Sequence, residues 1–286
     1  MSARAGIADL PAVVIEPIIR LALAEDFGLA GDITAQALLD PALPGKAAIV
    51  ARRAGVVAGL EAAQATALLV DPTLRFARRV GNGAAIAAGE TIAVIEGTAL
   101  SLLAAERVML NFLCRLSGIA TLTAAYVAAI AGTGATIACT RKTTPGLRAL
   151  EKRAVLLGGG VNHRFSLADA ILIKDNHIAA AGSVSAALER AKRAAGHLVK
   201  IEIEVDRLDQ LRAALAFRPD VVMLDNFSLA DLAEAVAMAG GQTVLEASGG
   251  VALETVRAIA ETGVDVISVG ALTHSAPALD LGLDWE

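Results

Sequence analysis

The chain has 286 residues, 55% of them hydrophobic but only 3% aromatic, with a formal net charge of −5. Such a length can bury a substantial core, in one large α/β domain or two smaller ones, built here from Ala, Val, Leu and Ile rather than from rings. The acidic balance argues against a nucleic-acid partner, which calls for a basic domain or stripe. The two cysteines, Cys114 and Cys139, have neither metal-ligand spacing nor a disulfide framework, which fits a cytoplasmic location.

In chain order, Asp9 and Glu16 interrupt the N-terminus where a signal peptide needs an unbroken apolar stretch. A helical opening over Pro17 to Glu25 is followed by short strand candidates, KAAIVARR (46–53) and ETIAVIEG (90–97), with Gly-containing turns. ALSLLAAERVMLNFLCRL (99–116) reads as a helix leading out of this region, so residues 1–115 are expected to form an α+β domain. Between Arg115 and Arg141 no residue is charged, a stretch long enough to span a bilayer. Gly132-Thr133-Gly134 breaks it, however, and it reads better as helix, turn and strand, with no membrane partner.

From Thr136 onward one pattern recurs: a short apolar run rich in β-branched residues, a polar ending, then an Ala-rich amphipathic stretch. The runs are ATIACT (135–140), DAILIK (169–174), VKIEIEV (199–205), DVVMLD (220–225), QTVLEAS (242–248) and DVISVG (265–270). Strands alternating with helices imply parallel βαβ units, in a barrel or a doubly wound sheet. Their polar residues cluster at the C-terminal ends, where both folds bind ligands. KIEIEV favours the barrel. Alternation puts Lys200, Glu202 and Glu204 on one face and Ile201, Ile203 and Val205 on the other. A charged interior face makes sense only around a charged ligand or a paired network. The expected fold is α/β, an open (β/α) barrel over residues 116–275 behind the N-terminal α+β domain, with residues 276–286 as a tail returning to that domain.

Residues 141–174 carry seven Lys and Arg (Arg141, Lys142, Arg148, Lys152, Arg153, Arg164 and Lys174) against Glu151 and Asp169. A local cationic cluster in an acidic chain suits a small, highly charged anion; the bland alternative is a solvated helix face. Ser248-Gly249-Gly250, before the helix candidate ALETVRAIAETG, has the strand–glycine–helix form that lets backbone N–H groups approach phosphate, and Gly270 ends the neighbouring strand. Glu204 and Asp225 end successive strands; they could hold Mg²⁺ or ribose hydroxyls or stabilise developing positive charge, or merely pair with Lys200 or Lys174. His163, His177, His197 and His274 show no zinc-type spacing, and Gly158-Gly159-Gly160 lacks the spacing of a dinucleotide fingerprint.

TRKTTPGLR, GGGVNHR, LIKDNH, LDNF, EASGGV and SVGALTHSAPALD, in that order, resemble the quinolinate phosphoribosyltransferases, the carboxylating nicotinate-nucleotide pyrophosphorylases. The likeness begins at EDFGLAGDIT, passes through AERVMLNFLCRLSGIAT and ends at DLGLD, so it covers nearly the whole chain. It departs at Asn82-Gly83, where the family commonly has a Gly-Asp pair.

The resemblance implies an α+β N-terminal domain, an open (β/α) barrel and a homodimer whose sites lie between the barrel of one subunit and the N-terminal domain of the other. It implies transfer of the phosphoribosyl group of phosphoribosyl pyrophosphate to quinolinate, with Mg²⁺, giving nicotinate mononucleotide, pyrophosphate and CO₂ on the de novo route to NAD. By position, Thr140, Arg141, Lys142, His163, Arg164 and Lys174 would bind quinolinate, with Arg107 supplied by the partner subunit. Glu204 and Asp225 would meet the phosphoribosyl group and Mg²⁺, and Ser248, Gly249, Gly250 and Gly270 the phosphate. Lys142, Lys174, Glu204 and Asp225 would carry the chemistry. Similar proteins encoded with molybdenum-transport genes share the TRKTTPG region but lose the lysine of LIKDNH; Lys174 here favours quinolinate over that alternative. A non-enzymatic anion-binding barrel is the other alternative, with little need for a carboxylate pair beside its phosphate loop.

Overall fold

The computed structural model describes residues 7–286; the first six residues of the expected N-terminal domain lie outside them. Two compact units are both discontinuous in sequence. One holds the chain up to Ala124, Thr143–Gly159 and Leu272–Glu286; the other holds Ala125–Lys142 and Gly160–Ala271.

In the first unit, a four-stranded antiparallel sheet has the order β12-β1-β5-β3, with β1 Pro44–Ala51, β3 Arg75–Arg78, β5 Thr91–Thr98 and β12 Leu281–Trp285. The short pair β2 Gly55–Val56 and β4 Ala85–Ile86 lies apart from it. The C-terminal strand thus lies beside β1, with Ala47 opposite Trp285 and Ala51 opposite Leu281. The helical opening runs further than expected, over Ala12–Phe27, starting before Pro17, which lies inside the helix and gives up one backbone hydrogen bond there. The helix expected over 99–116 continues to Ala129. It is long and apolar enough to cross a membrane, yet half of its most apolar window is buried inside the fold. Leu102, Met109 and Leu113 of this helix pack with Ile49, Ile92 and Ile95 of the sheet in one hydrophobic cluster.

Part of the expected cationic cluster belongs to this unit and does a structural task. Helix Arg148–Leu157 buries Lys152 and Arg153. Arg153 Nη1 lies 2.6 Å from Glu61, itself buried, and Nη2 lies 3.0 Å from Asp9. Asn82 joins the group by donating to Glu61 at 2.8 Å and to Asp9 at 3.0 Å, while its Oδ1 accepts from Leu60 N–H. The seven cations adjacent in sequence are therefore divided between the two units. Arg148, Lys152 and Arg153 stand on one helix, and Arg153 is taken up by Glu61 and Asp9.

The second unit is a six-stranded, wholly parallel sheet of order β6-β11-β10-β9-β8-β7. Its strands are β6 Thr136–Ala138, β7 Ile171–Ile173, β8 Ile201–Val205, β9 Val221–Asp225, β10 Val244–Ser248 and β11 Val266–Ser268. Each of the steps from β7 to β11 moves one place in the same direction, and the first strand, β6, lies beside the last. A doubly wound sheet reverses its order at a switch point; this cyclic order is that of a barrel left open between β6 and β7. Right-handed crossovers taken in one direction put the connecting helices Val184–Ala194, Leu208–Leu215 and Leu229–Ala239 on one face. Ile203, Leu224 and Leu245 are buried, and the alternate residues of the same strands point to the inner face. At the open edge Val161 forms a parallel bridge with Ala138, so the segment carrying His163 and Arg164 follows β6.

Candidate active site

Every barrel strand contributes residues at its C-terminal end to one cleft of about 420 Å³. Thr140, Arg141 and Lys142 follow β6, and Lys174 follows β7. Glu204, Asp225, Ser248 and Ser268 close β8 to β11. His163 and Arg164 enter from the bridged segment. Nine of the thirteen residues expected at the site therefore line one space. Gly249 and Gly250 are exposed directly after Ser248, and Gly270 is half-buried just after β11. Arg107 is exposed on helix Ala99–Ala129 of the first unit.

The loops hold these groups by local hydrogen bonds. Thr140 Oγ1 accepts from Lys142 N–H at 3.0 Å, which turns the chain after β6. Asp169 accepts from Phe165 N–H at 2.5 Å and Ser166 N–H at 3.0 Å, closing the loop that carries Arg164 back to β7. Arg164 Nη1 donates to Ala170 O in that loop at 3.1 Å. At the glycine pair, Gly249 has φ +93°, and a Cβ there would lie 2.2 Å from Asn226 Oδ1. The helix expected immediately after the pair starts only at Val256 and has six residues, because a turn closed by Ala252 and Thr255 comes first. Backbone N–H groups of the loop itself, rather than a helix end, are what the glycines expose.

The cationic side is incompletely satisfied by protein. Arg141 Nε and Arg164 Nε are both buried, and neither meets a hydrogen-bond acceptor among the described residues. Burial, and then the Arg141 charge, lower the pKa of Arg164 from its ordinary value. Guanidinium N–H donors in a fork have the geometry that planar carboxylates match. Lys174 Nζ forms an ion pair with Glu204, one of the pairings that the sequence left open, and Asp225 accepts from its neighbour Asn226 Nδ2 at 2.8 Å. Lys200 pairs instead with Asp220, at 2.6 Å, and is largely exposed. The charged inner face of β8 is thus Glu202 and Glu204 without Lys200.

Below the cations lies a buried acidic floor. Glu202 and Glu246 are 6% and 4% exposed. His163 Nδ1 accepts from Arg164 N–H at 2.9 Å, and Nε2 lies 2.8 Å from Glu202 Oε2 and 3.9 Å from Glu246 Oε1. The network assigns the imidazole proton to Nε2, donated to Glu202. These three side chains come within 4.8 Å of one another, a spacing that an ion could bridge, but a protonated Nε2 has no lone pair to offer a metal. His163, expected to touch quinolinate, has both ring nitrogens turned to protein groups. The Glu246 carboxyl is pushed up to about 7, chiefly by burial and then by the Glu202 charge, against the pull of His163 and a hydrogen bond with Ser268. Glu246 is the residue that the sequence reading missed. Its signal was present: Glu-x-Ser in β10 alternates as Glu-x-Glu does in β8.

Comparison with known proteins places the chain. The model of the quinolinate phosphoribosyl transferase N-terminal domain matches residues 32–117, and that of the C-terminal domain matches residues 119–284. The chain belongs to the quinolinate phosphoribosyltransferase family. It is 47% identical over 274 residues to the nicotinate-nucleotide pyrophosphorylase (carboxylating) of Mycobacterium leprae, covering 93% of this chain and 95% of that one. It is 41% identical over 295 residues to quinolinate phosphoribosyltransferase (decarboxylating) 1b of Nicotiana tabacum, covering 96% and 83%. The crystal structure of NadC from Streptococcus pyogenes matches with a TM-score of 0.93 at 40% identity, covering 98% of this chain and 99% of that one. With these matches the expected fold class, an N-terminal α+β domain and an open (β/α) barrel, holds.

The acidic floor yields a stability prediction. A carboxyl whose folded pKa is raised binds its proton more tightly when folded, so its contribution is lost as pH climbs from the unfolded value of 4.5 to about 7. Glu246→Gln removes that loss. Relative to wild type, the variant should therefore gain stability between pH 5 and pH 8, by up to about 3 kcal/mol, in urea unfolding at the two pH values. Parallel stability curves would show that Glu246 does not titrate in this range.

Proposed function

We propose that this protein transfers the phosphoribosyl group of phosphoribosyl pyrophosphate to quinolinate and decarboxylates the adduct, giving nicotinate mononucleotide, pyrophosphate and CO₂ for NAD biosynthesis. The observation that carries this reading is the pair of buried guanidinium N–H donors, Arg141 Nε and Arg164 Nε, without protein acceptors, in a cleft that also presents Lys142, Lys174, Glu204 and Asp225. A pyridine with two adjacent carboxylates supplies the planar anions that such donors fit. The relatives in Mycobacterium leprae and Nicotiana tabacum are named for activities of this kind.

Arg141 and Arg164 clamp the carboxylates and turn the ring nitrogen toward the anomeric carbon, while Thr140 fixes the turn on which Arg141 and Lys142 stand. His163 holds Arg164 in place through its backbone N–H. Ser248, Gly249, Gly250 and Gly270 supply the polar and backbone groups for phosphate. Glu204 and Asp225 face the ribosyl centre and stabilise its oxocarbenium character as pyrophosphate leaves. Once the ring nitrogen is quaternary, the neighbouring carboxylate departs because the cationic ring holds the electron pair left behind. Lys142 and Lys174 position that carboxylate. Positioning and preorganised charge do most of the work, and no covalent enzyme intermediate is required.

Hard carboxylate oxygens at the ends of adjacent strands fit Mg²⁺, so Glu204 and Asp225 are the residues to hold it; bound with the diphosphate, it would neutralise leaving-group charge. Cys114 and Cys139 are not joined in a disulfide among the described residues, which supports a cytoplasmic enzyme. Arg107, exposed on its helix, is assigned to the site of the partner subunit in a homodimer.

Incubating the protein with quinolinate, phosphoribosyl pyrophosphate and Mg²⁺ should yield pyrophosphate and nicotinate mononucleotide in equal amounts. Nicotinate in place of quinolinate should yield neither. Ligand binding without pyrophosphate release would contradict the enzymatic reading. The shared site has its own check: mixing Arg107→Ala and Lys174→Ala chains, each inactive alone, should restore part of the activity, since one interface then carries both defects and the other none. Absence of activity after demonstrated subunit exchange rules out a shared site.

A further inference from the structure

Decarboxylation leaves an electron pair on ring carbon 2, and a proton must reach it before product can leave. None of the roles above supplies one. We propose that Glu246 is the acid that protonates this carbon, an inference that rests on the quinolinate reading.

Four observations carry it. Glu246 lines the cleft while being 4% exposed, so it faces a bound ring and not bulk water. Strand register places it level with Met223 of β9 and Glu204 of β8, across the inner face of the sheet. Its Oε1 is buried and has no hydrogen-bond partner among the described residues, leaving one oxygen uncommitted. The groups around it are Glu202 from β8, Ser268 from β11 and His163 from the bridged segment, whose Nε2 lies 3.9 Å from Oε1, beyond hydrogen-bond reach, and 2.8 Å from Glu202.

Its protonation state suits the task. Burial and the Glu202 charge hold the carboxyl up to about 7, and the charge of a bound dicarboxylate acts in the same direction. The other candidates are poorer donors. Arg141 and Arg164 do not release protons in the accessible range, and the Lys174 ammonium is engaged by Glu204.

The step balances. The bond from carbon 2 to its carboxyl carbon breaks and CO₂ departs. The bonding pair remains on carbon 2 beside the quaternary nitrogen. The O–H bond of Glu246 then breaks, its proton forms the new C–H bond, and a carboxylate is left. Solvent returns the proton after product leaves, and the pull of His163 and the hydrogen bond with Ser268 favour the anion meanwhile.

The test is a single-turnover quench experiment on the full chain with quinolinate, phosphoribosyl pyrophosphate and Mg²⁺, following pyrophosphate and nicotinate mononucleotide separately. Glu246→Gln keeps the shape but carries no acidic proton. It should form nicotinate mononucleotide about 100-fold more slowly than wild type; with no proton to trap it the pair on carbon 2 recaptures CO₂, so the dicarboxylated nucleotide accumulates after pyrophosphate has appeared. Glu246→Asp should recover part of the second step. In the wild type, the lag of nicotinate mononucleotide behind pyrophosphate should lengthen as pH rises from 7 to 9, a readout that does not depend on a variant folding. If the two products keep the wild-type ratio in Glu246→Gln, or the lag is unchanged with pH, Glu246 is not the acid. A wild type that releases no pyrophosphate overturns the quinolinate reading itself, a result distinguishable from either of these.

Discussion

Two guanidiniums are held together where the protein gives them too few acceptors, and the rest of the site is arranged around that mismatch. A buried donor left unpaired costs about 1–3 kcal/mol, more when charged, so Arg141 Nε and Arg164 Nε are a standing expense unless a ligand completes them. Local hydrogen bonds hold the segments that carry them. Arg164 is tied by its own backbone N–H to His163 and by Nη1 to Ala170 O, and Arg141 stands on a turn held by Thr140.

The acidic floor has the same logic with the sign reversed. Glu202 and Glu246 are both buried, and two such carboxylates cannot both ionise cheaply. His163 takes one of them as its partner at 2.8 Å, and the other keeps its proton more readily. Buried guanidinium N–H donors, a weakened acid, and the carboxylates of Glu204 and Asp225 thus line one cleft with Ser248. Parallel strands make this possible because all six end at one rim.

Much of this was legible in the sequence because barrel strands announce themselves. The six apolar runs from ATIACT to DVISVG correspond to β6–β11, and the polar residues that follow each run do converge. Charge density along the chain was a poorer guide. Arg148, Lys152 and Arg153 are neighbours of Arg141 and Lys142 in sequence, yet helix Arg148–Leu157 groups with the first unit, where Arg153 pairs with Glu61 and, alongside Arg78, with Asp9. Nothing in a linear count separates a cation buried against acids from one facing a ligand. Glu246 failed to stand out for the opposite reason: a single acid inside QTVLEAS reads as the outward residue of a strand until neighbouring strands show which face is inside. The turn before Val256 was also beyond reach, since Ala252 and Thr255 close it through their own hydrogen bonds rather than through a recognisable cap.

The account depends on the guanidiniums meeting carboxylates of the ligand, and calorimetric titration addresses that contact without requiring turnover. Quinolinate should bind wild type far more tightly than nicotinate does. Arg164→Lys, which keeps the charge but loses the fork of donors, should weaken quinolinate binding about 10- to 100-fold, the worth of one or two charged hydrogen bonds. Unchanged quinolinate affinity in that variant, with the fold intact, would contradict the account.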